Sequence, residues 1–169
     1  MSDSARWFAV YVRSRHEKRV YEVLIQKGVE SFLPLVKTIR QWSDRRKKIF
    51  LPMFRGYVFV RIEFRELLDV LEVDGVVRLV RFNREPAPIP DDQIIVIKRI
   101  LTGNYDIETI PYMKEGQYVE VVAGPLRNIR GILLRKNSKR YFVVSMDIIG
   151  RSISVRMDPH LLRPVQLEH

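Results

Sequence analysis

Alternating and helical runs of apolar residues divide the first hundred residues into strands and helices. The β-branched and aromatic run at 7–13 (WFAVYVR) predicts a strand. The sequence SRHE at 14–17 predicts a capping box, with Ser14 as the N-cap of a helix that Gly28 ends. Similar patterns predict the remaining elements: strands near 31–37, 57–62 and 76–82, and helices near 65–71 and 91–101. This order is typical of a ferredoxin-like split βαβ domain, an α+β fold whose two helices cover one face of an antiparallel sheet.

The pattern changes after residue 103. Gly103, Asn104 and Pro111 interrupt the pattern, which predicts that residues 104–113 (NYDIETIPYM) are a linker between residues 1–103 and a second domain at 114–166. That second domain contains four or five short strands separated by turns, as in a small all-β barrel. The predicted strands lie near 118–123, 130–135, 140–146 and 152–157. The closing Leu-Glu-His at 167–169 resembles an expression-tag remnant and carries no functional prediction.

Composition narrows the chemistry that the chain can perform. The sequence has no cysteine, which excludes disulfides, cysteine zinc sites and thiol catalysis and favours a reducing cytoplasm. It has neither a basic-then-apolar leader nor an apolar run of 18 residues, so we expect no membrane partner. Its net charge of +10 favours nucleic acid as a partner, and +7 of it lies in residues 1–103.

The strongest basic cluster is the segment 37–48 (KTIRQWSDRRKK), which holds six basic residues and one acid around Trp42. Joining two strands of a sheet, it is predicted to project as a basic loop. Its cations can bind phosphates, and the indole can stack on an unpaired base. The alternative is a solvated loop whose charges only aid solubility. Arg13 and Arg19, near the start of the first helix, allow the same two interpretations because cations oppose the helix dipole there.

Aromatic residues follow in the segment 52–60 (PMFRGYVFV). With a period of two, Val58 and Val60 face one way and suit packing under the helices. Tyr57 and Phe59 then stand on the helix-free face, where exposed rings favour binding of a protein partner. The alternative is that the third helix or the second domain covers these rings.

Catalysis finds little support in the sequence. Neither His16 nor His160 has a carboxylate or a second histidine at ligand spacing, and no nucleotide-binding or nucleophile motif occurs. Asp91 and Asp92 suit the N-terminus of a helix better than paired acid–base chemistry. We therefore expect no catalytic residue, metal or cofactor, whereas an enzyme would show a ligand or metal in a polar cleft.

Three segments together resemble the NusG family of transcription factors. The opening WFAVYVRSRHEKRV, the core PMFRGYVFV and the strand GVVRLVRF look like the N-terminal (NGN) domain of that family. The stretch VEVVAGPLRNIRGIL resembles a KOW motif, with Gly124-Pro125-Leu126 in a tight turn and Gly131 allowing close backbone approach. A KOW motif alone is also found in ribosomal proteins, so a KOW-containing ribosomal or rRNA-associated protein is the alternative prediction.

The resemblance implies a bacterial, nucleoid-associated monomer that binds the clamp helices of the largest RNA polymerase subunit and opposes pausing. Position in the motif implies the residues that line its polymerase-binding hollow: Phe54, Tyr57, Phe59, Phe82 and Ile94. The resemblance likewise implies the residues that face upstream or non-template DNA: Arg13, Arg19, Arg40, Trp42, Arg45, Arg46, Lys47 and Lys48. In relatives the KOW barrel recruits the termination factor Rho or a small-subunit ribosomal protein.

Other features look closer to specialised paralogues of the UpxY and RfaH kind, which control long polysaccharide operons. These features are SRHEKRV, WSDRRKK and PAPIPDDQI. They imply antitermination at chosen operons. RfaH-type relatives can refold the KOW domain as helices, but Val119, Val121, Ile153 and Val155 alternate with polar residues here. The alternation predicts strands.

Overall fold

Residues 4–166, the part of the chain that the computed structural model describes, form mixed helices and antiparallel strands in two units. The units divide between Asp91 and Asp92. The first contains β1 (Arg6–Val12), α1 (Glu17–Gln26), β2 (Glu30–Phe32), β3 (Leu35–Gln41), β4 (Arg46–Pro52), β5 (Tyr57–Ile62), a 3-10 turn (Phe64–Glu66), α2 (Leu67–Leu71), β6 (Val76–Leu79), β7 (Arg81–Phe82) and β8 (Glu85–Pro86). The predicted tag remnant at 167–169 lies outside the described residues.

The main sheet of the first unit has the strand order β2-β5-β1-β6, and its neighbouring strands are antiparallel. Strand β5 lies between β1 and β2, the two strands that α1 connects, as in a split βαβ unit. One face of this sheet packs on the helices and forms a hydrophobic core. Members of that core are Phe8, Val10, Val12, Val20, Leu24, Val29, Leu33, Val58, Val60, Ile62, Val70, Val73 and Leu79.

The opposite face of this sheet is called the second face below. In the β1–β5 register Val10 lies opposite Val58, whereas Ala9 lies opposite Phe59 and Tyr11 lies opposite Tyr57. Because side chains alternate along a strand, the valines face the helices and the aromatic residues belong to the second face. The structure thus divides the residues of β5 between the two faces as the period of two predicts.

The start of α1 differs from the prediction. The helix begins at Glu17, its N-cap is His16, and no side chain caps it. Arg15 has a φ of 63°, so the chain leaves the helical region after Ser14. The carboxylate of Glu17 is buried and accepts the backbone N–H of Gly56 at 2.9 Å. The predicted capping box is therefore wrong, because Glu17 makes a tertiary contact with the start of β5 instead.

Most of the predicted basic loop is regular structure. Strands β3 and β4 pair over seven positions, from Leu35 opposite Pro52 to Gln41 opposite Arg46. The turn between them is closed by the Trp42 N–H, which donates to the Arg45 carbonyl at 2.7 Å. These strands form their own two-stranded sheet, called the basic hairpin below. The basic residues are therefore spread over two faces of a ribbon rather than collected in a loop.

The second unit contains a six-stranded antiparallel sheet with the order β14-β10-β11-β12-β13-β9. Its elements are α3 (Asp91–Thr102), β9 (Ile107–Pro111), β10 (Gln117–Val121), β11 (Arg130–Lys136), β12 (Lys139–Met146), β13 (Arg151–Arg156), a 3-10 turn (Pro159–Leu161) and β14 (Leu162–Pro164). Two strands exceed the prediction. Strand β9 lies inside the stretch 104–113, predicted as a linker, and pairs with β13. Strand β14 pairs with β10.

Helix α3 groups with the second unit, whereas the sequence places it in the first domain. Hydrogen bonds of Arg99 connect α3 to the rest of the second unit. Its Nε donates to the Pro125 carbonyl at 2.9 Å, and its Nη2 donates to the Arg127 carbonyl at 3.0 Å. One side chain near the end of α3 thus binds two carbonyls of the turn that precedes β11. Such a pairing of a long-range arginine with backbone groups has no local sequence signal.

Candidate functional site

The turn of the basic hairpin exposes its indole and its cations. Trp42 is 50% exposed, and the Lys47 ammonium lies 5.4 Å from the centre of its ring. Arg46 donates from Nε to the Gln41 side-chain oxygen at 3.1 Å. The predicted DNA-facing residues of this segment are all exposed: Arg40, Trp42, Arg45, Arg46, Lys47 and Lys48. The structure therefore brings six of the eight predicted nucleic-acid residues together on one solvent-exposed hairpin.

The other two predicted nucleic-acid residues form a separate pair. Arg13 and Arg19 each place a guanidinium nitrogen 3.5 Å from a carboxylate oxygen of Asp74. All three side chains are largely exposed, so these ion pairs contribute little to stability. A phosphate that approaches Arg13 or Arg19 would compete with Asp74, whereas the hairpin cations have one acidic neighbour in sequence, Asp44.

The prediction that Phe59 protrudes from the sheet is wrong. Phe59 is 0% exposed, although it lies on the predicted face. Its ring packs edge-on against Phe54 at 6.0 Å between centroids and is stacked with Phe32 at 6.1 Å. Phe54 and Ile94 are also buried. These three predicted polymerase-binding residues therefore have almost no accessible surface with which to contact a partner in this structure.

Part of the second face is open to solvent at the start of β5. Tyr57 is half-buried and packs edge-on against Tyr11 at 5.6 Å between ring centroids. The guanidinium of Arg78, on β6, lies 5.5 Å from the Tyr11 ring centre. Tyr11, Tyr57 and Arg78 are called the tyrosine cluster below. The sequence analysis did not predict Tyr11 and Arg78 as binding residues. Their position depends on the strand register, which puts Tyr11 opposite both Tyr57 and Arg78 and cannot be read from the local sequence.

Gly56 lies directly against the Tyr11 ring of this cluster. Its φ of +85° lies in the left-handed region, and a Cβ atom there would lie 2.9 Å from the Tyr11 ring. Its N–H is bound by the buried Glu17 carboxylate. A glycine is thus required on two counts, since a larger residue would be strained and would displace Tyr11. The Arg55-Gly56 step of the motif therefore has a structural role next to the exposed tyrosines.

Phe82 is the most accessible of the predicted polymerase-binding residues, with 70% of its surface exposed. It pairs with Glu85 across a two-residue turn formed by Asn83 and Arg84, whose φ values are 49° and 68°. Two consecutive positive φ values are typical of a type I′ hairpin turn. The turn thus leaves the Phe82 ring exposed to solvent.

The four predicted KOW residues occupy structural positions in the second unit. Gly124 has a φ of +86° and starts the turn with Pro125, while Leu126 is completely buried. Gly131 lies on β11, where a Cβ atom would be 2.4 Å from the Val143 carbonyl oxygen. Gly124 thus allows a tight turn, and Gly131 allows β11 and β12 to lie close together. The buried Leu126 side chain anchors the turn in the core. These positions explain the motif by packing rather than by contact with a ligand.

Two hydrogen-bonded side chains of the second unit, Glu120 and Tyr112, have shifted pKa values. Arg163 donates to the Glu120 carboxylate at 2.6 Å, and Arg130 lies 3.8 Å from it. The Arg163 hydrogen bond holds the pKa of Glu120 below its ordinary value. The Tyr112 hydroxyl donates to Asp147, and this bond raises the pKa of Tyr112. Both groups are in their usual charge state at neutral pH, so they act as structural pairs.

Two further features of residues 4–166 bear on the predicted classes. Within that range, no group of three or more His, Cys, Asp or Glu side chains is placed to hold a metal ion. None of the helices described there has the length and apolar character needed to cross a membrane.

Comparison with known proteins gives one consistent family. A family model described as transcription termination factor nusG matches residues 5–98. The transcription termination/antitermination protein NusG of Thermus thermophilus is 23% identical, over 92% of this chain and 96% of its own length. The corresponding Xylella fastidiosa protein is 25% identical, over 90% of this chain and 95% of its own. A solved structure of Thermotoga maritima NusG shares 22% identity and the fold, with a TM-score of 0.55 over 96% of this chain and 98% of its own. Because the family model covers more than half of the sequence, the chain belongs to the NusG family of transcription termination/antitermination proteins.

Proposed function

We propose that this protein binds the clamp helices of the largest RNA polymerase subunit and suppresses pausing or termination. In this proposal the first unit is the polymerase-binding NGN domain and the strands of the second form a KOW domain. The observation that carries the proposal is the tyrosine cluster, an accessible aromatic surface in the unit that the NusG family model matches. Tyrosine and arginine are, with tryptophan, the residue types enriched among the hot spots of protein interfaces.

The accessible residues carry the polymerase contact in this proposal. Tyr57 and Phe82 remain binding residues, and Tyr11 and Arg78 are added to them. Phe54 and Phe59 act as buried support, because Phe59 lies two residues from Tyr57 on the same face and packs edge-on against Phe54. Buried support of this kind is what a rigid binding surface requires, since ordering loose side chains lowers affinity.

The basic hairpin supplies the second contact, with upstream or non-template DNA. Its exposed cations can replace counterions on phosphates, and this term dominates non-specific binding. Arg13 and Arg19 belong to the same proposal as weaker contributors, because Asp74 already neutralises part of their charge. The two contacts together would hold the protein at the polymerase while DNA passes.

We further propose that the protein acts at selected operons, as specialised paralogues of the UpxY and RfaH kind do. The sequence features that favour this are SRHEKRV, WSDRRKK and PAPIPDDQI. The second unit would then recruit Rho or a small-subunit ribosomal protein. Its strands, rather than helices, give such a partner a sheet surface.

Capture of RNA polymerase by the purified protein tests the central proposal. The double variant Tyr57→Ala/Phe82→Ala should lose at least about 30-fold in affinity, as expected when interface hot spots are truncated. Phe64→Ala is the matched control, because Phe64 is 64% exposed but lies outside the tyrosine cluster and the β7–β8 turn. Equal binding by the double variant and the wild type would contradict the proposal. Capture of ribosomal particles in place of polymerase would favour the KOW-containing ribosomal alternative.

Salt dependence tests the DNA contact separately. Replacing Arg45, Arg46, Lys47 and Lys48 by Ala should reduce the slope of log affinity against log salt by about 3, if all four bind single-strand phosphates. Binding of a labelled oligonucleotide at several salt concentrations gives this slope. A slope equal to that of the wild type would remove the hairpin from the DNA contact but leave the polymerase contact standing.

A further inference from the structure

The two faces of the basic hairpin differ in composition. The β3–β4 register places Lys37 opposite Phe50, Ile39 opposite Lys48, and Gln41 opposite Arg46. Because residues two apart share a face, these six side chains lie on one side of the ribbon, beyond Leu35 and Pro52, which lie at its base on the same side. The six residues are called the outer face below. The inner face is formed by the six intervening residues: Val36, Thr38, Arg40, Lys47, Ile49 and Leu51.

Large apolar side chains are exposed on the outer face. Ile39 is 61% exposed and Phe50 is 51% exposed, whereas Ile49 and Leu51 of the inner face are half-buried. A two-stranded ribbon gains little in folding from an isoleucine and a phenylalanine that keep half or more of their surface in water. Exposed apolar groups of this kind mark binding surfaces.

Each exposed apolar side chain of the outer face has a lysine directly across from it. Cβ atoms of directly opposed residues lie about 4.5–5.5 Å apart. Phe50 is therefore flanked by Lys37, and Ile39 by Lys48. Arg46 adds a third cation, and the outer face has no acidic residue. A ligand that matches this face needs flat apolar groups and negative charges in alternation, which is the composition of a nucleic-acid strand with unpaired bases.

Phe50 has a freer ring than Trp42, the residue that the sequence favours for stacking. The Lys47 ammonium already lies over the Trp42 ring, at 5.4 Å. In the stretch from residue 4 to residue 166, the structure records neither a cation nor a second ring against Phe50. A base can therefore reach Phe50 without displacing a partner.

We propose that the outer face of the basic hairpin binds single-stranded nucleic acid, with Phe50 stacked on an unpaired base and Lys37 and Lys48 on phosphates. This inference rests on the proposed function, since it refines the DNA contact of the hairpin to one face and one ligand form. A duplex offers phosphates to the lysines but no base face to Phe50, because its bases are stacked on each other. The outer face therefore discriminates for unpaired strands.

A pair of charge-matched variants tests which face binds. Lys37→Gln/Lys48→Gln removes two cations from the outer face, and Arg40→Gln/Lys47→Gln removes two from the inner face. The probe is a fluorescein-labelled thymidine oligonucleotide, titrated into the full chain at several salt concentrations. The outer-face variant should lower the log–log salt slope by about 1.4, because each phosphate that is no longer neutralised by a lysine reduces the slope by about 0.7. The inner-face variant should lower the slope by less than the outer-face variant does, because Arg40 and Lys47 lie on the side of the ribbon opposite to Phe50.

Phe50 variants test the stacking contact. Phe50→Ala should weaken binding of the oligonucleotide by about 5- to 150-fold, the range found for loss of one stacked base. Phe50→Tyr, which keeps a ring, should restore binding, and Phe64→Ala should leave it unchanged. Binding of the same oligonucleotide annealed to its complement should respond little to Phe50→Ala. Circular dichroism and thermal unfolding of each variant show that the fold is intact.

Three results would overturn the inference, and they differ from failure of the proposed function. Equal loss by the two double variants would show that the hairpin binds through its total charge, while its DNA contact stands. Equal affinity of Phe50→Ala and the wild type would exclude stacking. An unchanged salt slope in both double variants would remove Lys37, Lys48, Arg40 and Lys47 from phosphate binding and leave Arg45 and Arg46 as the DNA-binding cations of the hairpin. None of these results alters polymerase capture through the tyrosine cluster, which is measured without the oligonucleotide.

Discussion

Two antiparallel strand pairs of the first unit contain similar residues in opposite environments. In the β1–β5 pair, Phe59 is completely buried, and in the β3–β4 pair, Phe50 is half exposed. The β1–β5 pair has β2 and β6 at its edges and helices against one face, whereas β3 and β4 pair with each other alone among the described strands. The comparison teaches that an alternating aromatic pattern identifies a face but not what lies against it.

The largest expected effect is the loss of stability when the buried Phe59 is truncated. Phe59→Ala should lower the free energy of unfolding of the first unit by about 3–5 kcal/mol, because it leaves a cavity between Phe54 and Phe32. Phe50→Ala, at an exposed site, should change it by about 0.5 kcal/mol or less. Urea unfolding of both variants measures the difference. Similar values for the two would mean that the hairpin packs against the body in solution.

The same contrast extends to the second unit, at the turn that contains the predicted KOW residues. Leu126 is buried, whereas Val122, just before the turn, is partly exposed. Leu126→Ala should cost about 2–5 kcal/mol, since a buried side chain is removed from the core. Val122→Ala serves as the control and should cost far less. Thermal unfolding followed by circular dichroism checks the pair, and a small effect of Leu126→Ala would show that the turn is not held by the core.

A smaller loss of stability is expected at Gly56, which lies where the second face changes from buried to exposed. Gly56→Ala should cost about 1–2 kcal/mol from its left-handed backbone alone, with a further penalty from the Tyr11 ring. Adding Tyr11→Ala removes the ring and should recover that further penalty. The double-mutant cycle should therefore give a coupling of about 0.5 kcal/mol or more. Strict additivity would mean that Tyr11 moves aside without cost.

The smallest effect is a pH dependence at the surface of the second unit. The Arg163 hydrogen bond lowers the pKa of Glu120, so the pair stabilises the folded state above the ordinary pKa of a glutamate. That contribution should disappear as the pH falls through the lowered pKa. Glu120→Gln cannot lose it, so the difference in unfolding midpoint between wild type and variant should shrink on acidification. A difference that stays constant between neutral and acidic pH would show that the ion pair contributes nothing.

Local pattern sufficed for the period of individual strands, which does not depend on the strands they pair with. The alternation at 57–62 placed the residues of β5 on the two faces, and the run at 130–135 lies within β11. The capping box at Ser14 failed for the opposite reason. Glu17 had the correct spacing for a local contact, but Gly56 offered it a buried backbone N–H from a distant part of the chain. A short motif cannot report such a competing long-range partner.

The sequence by itself determined the family resemblance, the basic charge, the alternation of the strands and the glycines at 124 and 131. These features are local, because charge, period and turn chemistry depend on residues a few positions apart. The tertiary structure alone decided that Phe59 is buried while Phe50 is exposed, and that Tyr11, Tyr57 and Arg78 form one surface. Register and burial depend on which distant strands pair and on what covers each face, and no local pattern of residues carries that information.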